Sequence, residues 1–298
     1  MNEKTRSAIR AMGNALTPEM FRDTSALFAE RGLAQHKTAT NIHRNIAYGS
    51  HDRHRLDIFL PAECEAASAI LLYVHGGGFV QGDKGGEGSP YYGHIGAWAA
   101  SLGMVGATMN YRLAPEFQWP AGAEDISEAI GWLVTNSARL GFAARNVFLI
   151  GQSAGAAHVA SYVAMPHLHP TGRLLAGAIM LSGIYDVARL KHSPFENAYY
   201  GTDSAKFAEQ SSLGGLISSD VPCLFSVAEY DGTTFEQQAL LLVQDWWREH
   251  ERLPRMLYLP DANHMSPALG LGAGADPLSI EIEAFIHKFS TPAENSEL

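Results

Sequence analysis

Residues 147–164 read VFLIGQSAGAAHVASYVA, an apolar run followed by a turn of small residues and then a helix-like stretch. Ser153 stands between Gly151 and Gly155. A serine on a sharp turn from strand to helix is held in a strained backbone conformation, and its neighbours must be small because larger side chains would clash with the helix. The pattern favours an exposed nucleophile, but the same five residues also occur as an ordinary turn, so the rest of the chain must separate these interpretations.

The flanking sequence alternates between short apolar runs and longer amphipathic segments. Near-continuous apolar runs are typical of strands covered on both faces, and they predict strands over 56–60, 69–74, 104–109, 147–150, 178–182, 223–227 and 256–259. Apolar residues at helical spacing predict helices over 121–139, 234–250 and 277–289. This alternation indicates an α/β fold with a mostly parallel central sheet and helices on both faces.

Two segments fall outside the alternation. Residues 1–45 precede the first predicted strand and contain a helix start at Thr17-Pro18, a capping residue followed by proline. Residues 184–219 are too long for a simple connection between strands. Because open α/β sheets bind ligands beyond the carboxyl ends of their strands, we expect both segments to form a small helical cap there, although they could merely decorate the surface. The main domain is then 46–290, and the polar tail 291–298 is expected to fray.

A glycine-rich segment, His75-Gly-Gly-Gly-Phe79, directly follows the predicted strand 69–74. A serine that attacks a carbonyl group needs hydrogen-bond donors aimed at the oxyanion of the tetrahedral intermediate. Glycines let backbone N–H groups approach closely and adopt positive φ values. We therefore expect the N–H groups of Gly76, Gly77 and Ala154 to form an oxyanion hole. The alternative is an ordinary flexible glycine loop.

A serine nucleophile also needs a base, and hydrolases with a strand–turn–helix serine carry serine, acid and histidine in that order. His264 follows the last predicted strand and is the predicted base. His287 lies among apolar residues of a predicted helix, where packing is expected, and His158 is only five residues beyond Ser153 on the following helix.

The acid that orients the histidine has two candidates just after the predicted strand 223–227. Glu229 and Asp231 both satisfy the chain order, and Asp231 is preferred with Glu229 as the alternative. Asp261 stands so close to His264 that it is expected to shape the histidine loop instead.

Composition narrows the possible partners and locations. The net charge of −10 argues against nucleic acid and anionic membranes as partners. The first residues are interrupted by charges and lack the apolar core of a signal peptide. The two cysteines, Cys64 and Cys223, follow no metal or redox spacing, which favours free thiols in the cytoplasm. We expect no metal site, a small-molecule ester or amide as partner, and a possible homo-oligomer formed through an edge strand or the last helix.

With these motifs assembled, the chain resembles the α/β-hydrolase superfamily, in particular the hormone-sensitive-lipase-like bacterial carboxylesterases and their arylformamidase-like neighbours. The matching motifs run in family order from about residue 55 to 290: His75-Gly-Gly-Gly-Phe79, Asn110-Tyr-Arg-Leu-Ala-Pro-Glu116, Gly151-Gln-Ser-Ala-Gly155, Ala228-Glu-Tyr-Asp231 and His264. The resemblance implies the α/β-hydrolase fold, Asp231 as the acid, and structural roles for Asp125 and the segment 111–116. It also implies ester hydrolysis through an acyl-enzyme on Ser153, without a metal or organic cofactor.

The substrate is less well defined by these motifs. The family's usual Asp-Pro-Leu reads Asp231-Gly-Thr here, and the compact insertion 184–219 is closer to the formamidase-like group. An amidase or arylformamidase would use the same triad, and a non-catalytic small-molecule receptor is the remote alternative. Aromatic residues expected to line a pocket, each of which could instead be a packing residue, are Phe79, Trp119, Tyr185, Tyr199 and Tyr200.

Overall fold

The computed structural model describes residues 1–39, 41–67, 69–143, 145–169, 174–272 and 276–290. Eight strands form one sheet in the order β1-β2-β4-β3-β5-β6-β7-β8. The first two strands run antiparallel to their neighbours, and the pairs from β4 and β3 onward to β8 are all parallel. The strands are β1 Ile42–Ala47, β2 Arg55–Phe59, β3 Ala69–Val74, β4 Val105–Met109, β5 Asn146–Gln152, β6 Leu175–Leu181, β7 Cys223–Tyr230 and β8 Met256–Asn263.

Helices cover both faces of this sheet and its carboxyl edge. They are α1 Glu3–Met12, α2 Pro18–His36, α3 Gly93–Ser101, α4 Ala121–Asn136, α5 Ala154–Ala164, α6 Pro194–Tyr200, α7 Phe207–Gln210, α8 Leu213–Ser218, α9 Thr233–His250, α10 Ser266–Leu269 and α11 Pro277–Ser290. In the described parts of the chain, none of these helices has both the length and the apolar character needed to cross a membrane.

The central strands are buried on both faces, which is why their sequences are nearly all apolar. Alternate residues of each strand point to opposite faces: Ile70 and Leu72 of β3 pack with α4 and α5 residues on one face, whereas Leu71 and Tyr73 join the cluster of α3 and α11 on the other. The predicted α/β-hydrolase architecture, with a mostly parallel sheet between two helical layers, is confirmed.

The sequence did not predict the first strand of the sheet. Ile42–Ala47 forms the edge strand β1, so the predicted boundary at residue 45 falls inside a strand. This segment contains no apolar run, its residues are half-buried or exposed, and its pairing with β2 is irregular between His43 and Ile46. An edge strand of this kind carries little of the periodicity that identifies central strands.

Both segments set aside as possible cap elements are helical. The first contains α1 and α2, and α2 begins at Thr17-Pro18 as expected, with the Thr17 hydroxyl accepting from the Met20 N–H. The second contains α6, α7 and α8, and α6 begins with a capping box formed by Ser193 and Glu196. The predicted polar tail, 291–298, lies outside the described residues.

One fully buried side chain of α9 connects the start of the insertion to the main domain. Gln238 Oε1 accepts hydrogen bonds of 2.8 Å from the N–H groups of Tyr185 and Asp186. Its Nε2 donates to the Asp186 carbonyl oxygen at 3.0 Å. The start of the insertion therefore has a fixed path where it leaves the sheet.

Candidate active site

Ser153 occupies a sharp turn between β5 and α5. Its φ and ψ are 56° and −120°, a conformation that non-glycine residues rarely adopt. A Cβ on Gly151 would lie 2.4 Å from the Gly155 carbonyl oxygen, and one on Gly155 would lie 2.1 Å from the Val74 carbonyl oxygen. Both glycines are therefore required by close backbone approach. The Ser153 side chain makes no capping hydrogen bond to α5 and is half-buried at the surface.

His264 and Asp231 form a buried pair. The His264 Nδ1 lies 2.7 Å from Asp231 Oδ1, and the Phe235 ring stacks on the imidazole with the ring centroids 4.1 Å apart. Asp231 Oδ2 accepts hydrogen bonds from the Ser182 hydroxyl at 2.6 Å and from the Ala228 N–H at 2.7 Å. Three donors on different elements thus hold this carboxylate in one orientation.

Glu229, the alternative acid, faces another group. Its Oε2 accepts a hydrogen bond of 2.7 Å from the N–H of Asp261, a residue with a positive φ of 56°. Glu229 therefore supports the turn that leads to His264, and the structure brings Asp231 rather than Glu229 to the histidine ring.

The serine turn and the histidine loop are joined directly. Gln152, the residue before Ser153, donates a hydrogen bond of 2.9 Å from Nε2 to the His264 carbonyl oxygen. Gln152 and His264 are both buried. The elements that carry Ser153 and His264 are consequently fixed to each other by a contact that does not use the reacting groups.

The glycine-rich segment passes beside the serine. A Cβ on Gly76 would lie 2.4 Å from Gln152 Oε1, 3.1 Å from the Gln152 carbonyl oxygen and 3.2 Å from Ser153 Cβ, so a side chain there would force its neighbours to shift. Gly77 has φ of +129°, and a Cβ there would meet the Gln81 carbonyl oxygen at 2.0 Å. Ala154 is the first residue of α5, where an N–H group has no acceptor within the helix. Gly76 and Ala154 are therefore both neighbours of Ser153, the first through the fold and the second along the chain.

Two buried histidines, His75 and His158, pack close to the glycine-rich segment. Burial lowers the pKa of His75 to about 4 and that of His158 to about 3, so both rings are neutral at pH 7. The Tyr111 ring contacts both, stacking on His75 with 4.4 Å between centroids and meeting His158 edge-on at 4.5 Å. His158 is therefore a packing residue, which agrees with the choice of His264 over His158 as the predicted base.

The predicted pocket residues divide into three groups. Phe79 and Tyr199 are fully buried and stack in parallel with 4.6 Å between centroids, so they pack beneath the site and do not line an accessible pocket. Tyr185 was predicted wrongly, since it lies in the main core with its ring edge-on to Phe225 of β7. Trp119 and Tyr200 do border a cleft of about 330 Å³ beside α6 and α7.

Phe195, at the start of α6, is an apolar residue that the sequence reasoning missed. Its side chain is 49% exposed, although it is aromatic. A Cβ on Gly78 would lie 3.2 Å from its ring, so Phe195 covers the glycine-rich segment. The capping box at Ser193 signals a helix start, but no local pattern shows which surface that helix covers.

One group of side chains among the described residues has the spacing of metal ligands: His54, Asp125 and Glu128. Arg112 already pairs with Asp125, donating from Nε to Oδ1 at 2.7 Å and from its backbone N–H to Oδ2 at 2.7 Å. This ion pair offsets the negative charge that a cation would need, so we interpret the group as an internal support of the segment that begins at Tyr111.

The eight-stranded sheet with helical layers on both faces has the α/β-hydrolase fold. Residues 56–173 match the BD-FAE family model. The hyperthermophilic esterase from the archaeon Pyrobaculum calidifontis has a similar structure, with a TM-score of 0.67 and 21% identity over 97% of this chain and 98% of that one.

Curated relatives match less than half of the chain. Isoprenylcysteine alpha-carbonyl methylesterase of Arabidopsis thaliana is 30% identical over 127 residues, covering 40% of this chain and 27% of that protein. Hormone-sensitive lipase of Bos taurus is 36% identical over 96 residues, covering 32% of this chain and 12% of that protein. The matched regions therefore span only a minor part of either relative.

Proposed function

We propose that this protein is a serine esterase that cleaves small carboxylic esters through an acyl-enzyme on Ser153. The observation that carries the proposal is the buried pair of His264 Nδ1 and Asp231 Oδ1, 2.7 Å apart, on a loop tied by Gln152 to the strained serine turn. A carboxylate on Nδ1 directs the basic Nε2 of the imidazole toward substrate and stabilises the imidazolium that forms. The relatives named as a methylesterase and a lipase support hydrolysis of an ester bond.

The mechanism follows from these roles. His264 accepts the proton of the Ser153 hydroxyl while the oxygen attacks the ester carbonyl carbon. The N–H groups of Gly76, Gly77 and Ala154 stabilise the negative charge on the carbonyl oxygen. The tetrahedral intermediate collapses, and the alcohol leaves with the proton from His264. Water then attacks the acyl-enzyme, His264 accepts its proton and returns it to Ser153, and the carboxylic acid departs.

The cap supports a substrate of modest size. Phe195 covers Gly78, and Gly76 of the same segment lies against Ser153, so an aromatic side chain stands close to the proposed reaction site. Short acyl esters with a small or aryl alcohol fit such a site better than long-chain triglycerides. The cytoplasmic location and the homo-oligomer suggested by the sequence stay predictions.

The test is a panel of p-nitrophenyl esters with acyl chains of two to twelve carbons, assayed against wild type and Ser153→Ala. We expect turnover that is greatest for short chains and absent in Ser153→Ala. Ser161→Ala is the matched control, because it removes a buried hydroxyl from the same helix, α5. Equal turnover by Ser153→Ala and wild type would contradict the proposal.

An N-formyl anilide in the same panel separates the alternatives. Faster cleavage of the amide than of every ester would favour the amidase or arylformamidase. A fluorophosphonate probe tests the alternative of a non-catalytic receptor. The probe reacts with an activated serine, so an enzyme is labelled at Ser153 and a receptor is not.

A further inference from the structure

The loop that carries His264 is attached to the N-terminal helices by a buried hydrogen bond. Thr24 of α2 and Asn263 at the end of β8 are both fully buried. Asn263 Nδ2 donates to Thr24 Oγ1 at 2.7 Å. The Thr24 hydroxyl can donate its proton to the sulfur of Met12 at 3.3 Å or of Met20 at 3.5 Å, so its oxygen is left to accept from Asn263.

The same asparagine organises the turn around the histidine. Asn263 Oδ1 accepts hydrogen bonds from the N–H groups of Met265 at 3.2 Å and Ser266 at 3.1 Å. Its own N–H donates to the Ser266 hydroxyl at 3.0 Å. His264 lies between the residues that this side chain connects, so the orientation of the Asn263 amide determines the path of the backbone at His264.

The N-terminal helices contact the histidine loop at two further points. Ile9 of α1, Phe28 of α2 and Leu269 form a buried cluster against which Met265 packs. Arg10 of α1 pairs with Asp261 at 3.0 Å. This second pair is half-exposed and contributes little, because solvent screens it. The Thr24–Asn263 bond, in contrast, is fully buried and ends on the side chain that connects the residues of the turn.

From this geometry we infer that Thr24 is a positioning residue for His264, acting through Asn263, and that α1 and α2 form part of the catalytic apparatus and do more than cover the site. The inference rests on the proposed function, since it assigns His264 the role of base. Without the Thr24 oxygen, the Asn263 amide nitrogen keeps only a weak contact with the Met12 sulfur at 3.9 Å, and a buried donor that loses its strong acceptor reorients or draws in water. Either change displaces the His264 backbone relative to Ser153.

The experiment compares Thr24→Val, which has nearly the same shape but no hydroxyl, with Thr24→Ser, which keeps the oxygen. We expect Thr24→Val to lower kcat about tenfold with KM nearly unchanged, since a lost buried hydrogen bond is expressed in the transition state. We expect Thr24→Ser to restore at least half of the wild-type kcat. Thr108→Val is the matched control, because Thr108 is also buried and no described residue accepts from or donates to its hydroxyl.

A second readout does not depend on turnover. The proton between His264 Nδ1 and Asp231 gives a low-field NMR signal when that hydrogen bond is short, and we expect the signal to shift or broaden in Thr24→Val and to persist in Thr24→Ser and Thr108→Val. If Thr24→Val does not fold, Thr24→Cys gives the same comparison, because a thiol is only a weak acceptor.

Three outcomes would overturn the inference. The first is a Thr24→Val protein with wild-type kcat and an unchanged signal, and the second is Thr24→Ser as impaired as Thr24→Val, which would assign the effect to packing of the methyl group. The third is an equal loss in Thr108→Val. If wild type cleaves no ester but shows the low-field signal, the proposed function fails on its own, while the response of that signal in Thr24→Val still decides the role of Thr24.

Discussion

The hydroxyl of Ser182 lies 2.6 Å from Oδ2 of Asp231 and donates a hydrogen bond to it, while Oδ1 of the same carboxylate faces His264. Ser182 follows β6 directly, is buried, and has a positive φ of 51°. A strained residue persists only where its surroundings hold it in place. The strain at Ser182 therefore indicates a residue whose conformation is fixed so that its hydroxyl meets the acid.

Replacing Ser182 by alanine should reduce kcat about tenfold and leave KM nearly unchanged, because hydrogen bonds to charged groups are among the stronger ones and this one orients the acid. Steady-state kinetics on a short p-nitrophenyl ester measures the effect. Ser226→Ala is the matched control, since Ser226 is buried on the neighbouring β7 and its hydroxyl has no partner among the described residues. Equal kinetic constants for Ser182→Ala and Ser226→Ala would show that Ser182 has no role in orienting Asp231.

The two acidic candidates can be separated by isosteric amides. Asp231→Asn should lower kcat by roughly 10³–10⁴-fold, because an amide neither holds the required histidine tautomer nor stabilises the imidazolium. Glu229→Gln should retain most activity, since the amide oxygen can still accept from the Asp261 N–H. The reverse order of effects would assign the acid to Glu229.

Replacing a glycine of the serine turn by alanine should change the stability of the protein in the opposite direction from the same replacement on an open helix surface. Gly155→Ala would bring Cβ within 2.1 Å of the Val74 carbonyl oxygen, so we expect loss of folded protein or a large drop in the melting temperature. Gly131 lies in α4, where an added Cβ would meet no described atom within 4 Å, and Gly131→Ala should stabilise the protein by about 0.5–1 kcal/mol. Thermal unfolding of both variants checks the pair.

Buried neutral histidines predict acid sensitivity. Burial lowers the folded-state pKa of His158 to about 3, whereas the unfolded chain binds a proton near pH 6.5. The unfolded state therefore takes up the proton first, and stability that is constant above about pH 6.5 falls as the pH decreases toward 3, by up to about 1.4 kcal/mol per pH unit for each such histidine. His75 adds to this loss down to about pH 4.

The measurement is the melting temperature between pH 7.5 and pH 5. We expect His158→Leu to show a smaller decline than wild type, because it removes one of the groups that must charge. His167→Leu, at an exposed histidine, should decline in parallel with wild type. Identical slopes for wild type and His158→Leu would show that another group controls the acid response.

The features that could be read from the sequence are those that nearby residues determine. The serine turn was predictable because Gly151, Ser153 and Gly155 lie within five consecutive residues, directly after an apolar run. β3 was predicted over its full length because both of its faces are buried and its sequence is therefore continuously apolar. β1 has no apolar run and was missed. Tyr185 and Phe195 are both aromatic residues of one insertion, and only the tertiary fold places the first in the core and the second over Gly78.

The hydrogen bond between Thr24 and Asn263 joins residues 239 positions apart, so the ribosome makes α2 long before it makes β8 and the histidine loop. A nascent chain that has passed α9 already contains Ser153 and Asp231, yet it lacks β8 and the histidine loop. Ile9 of α1 and Phe28 of α2 meanwhile lack Leu269 and Met265, two of the residues that they pack with in the folded protein. The proposed hydrolytic site would then be completed only after β8 has joined the sheet and α1 and α2 have packed against the loop that carries His264.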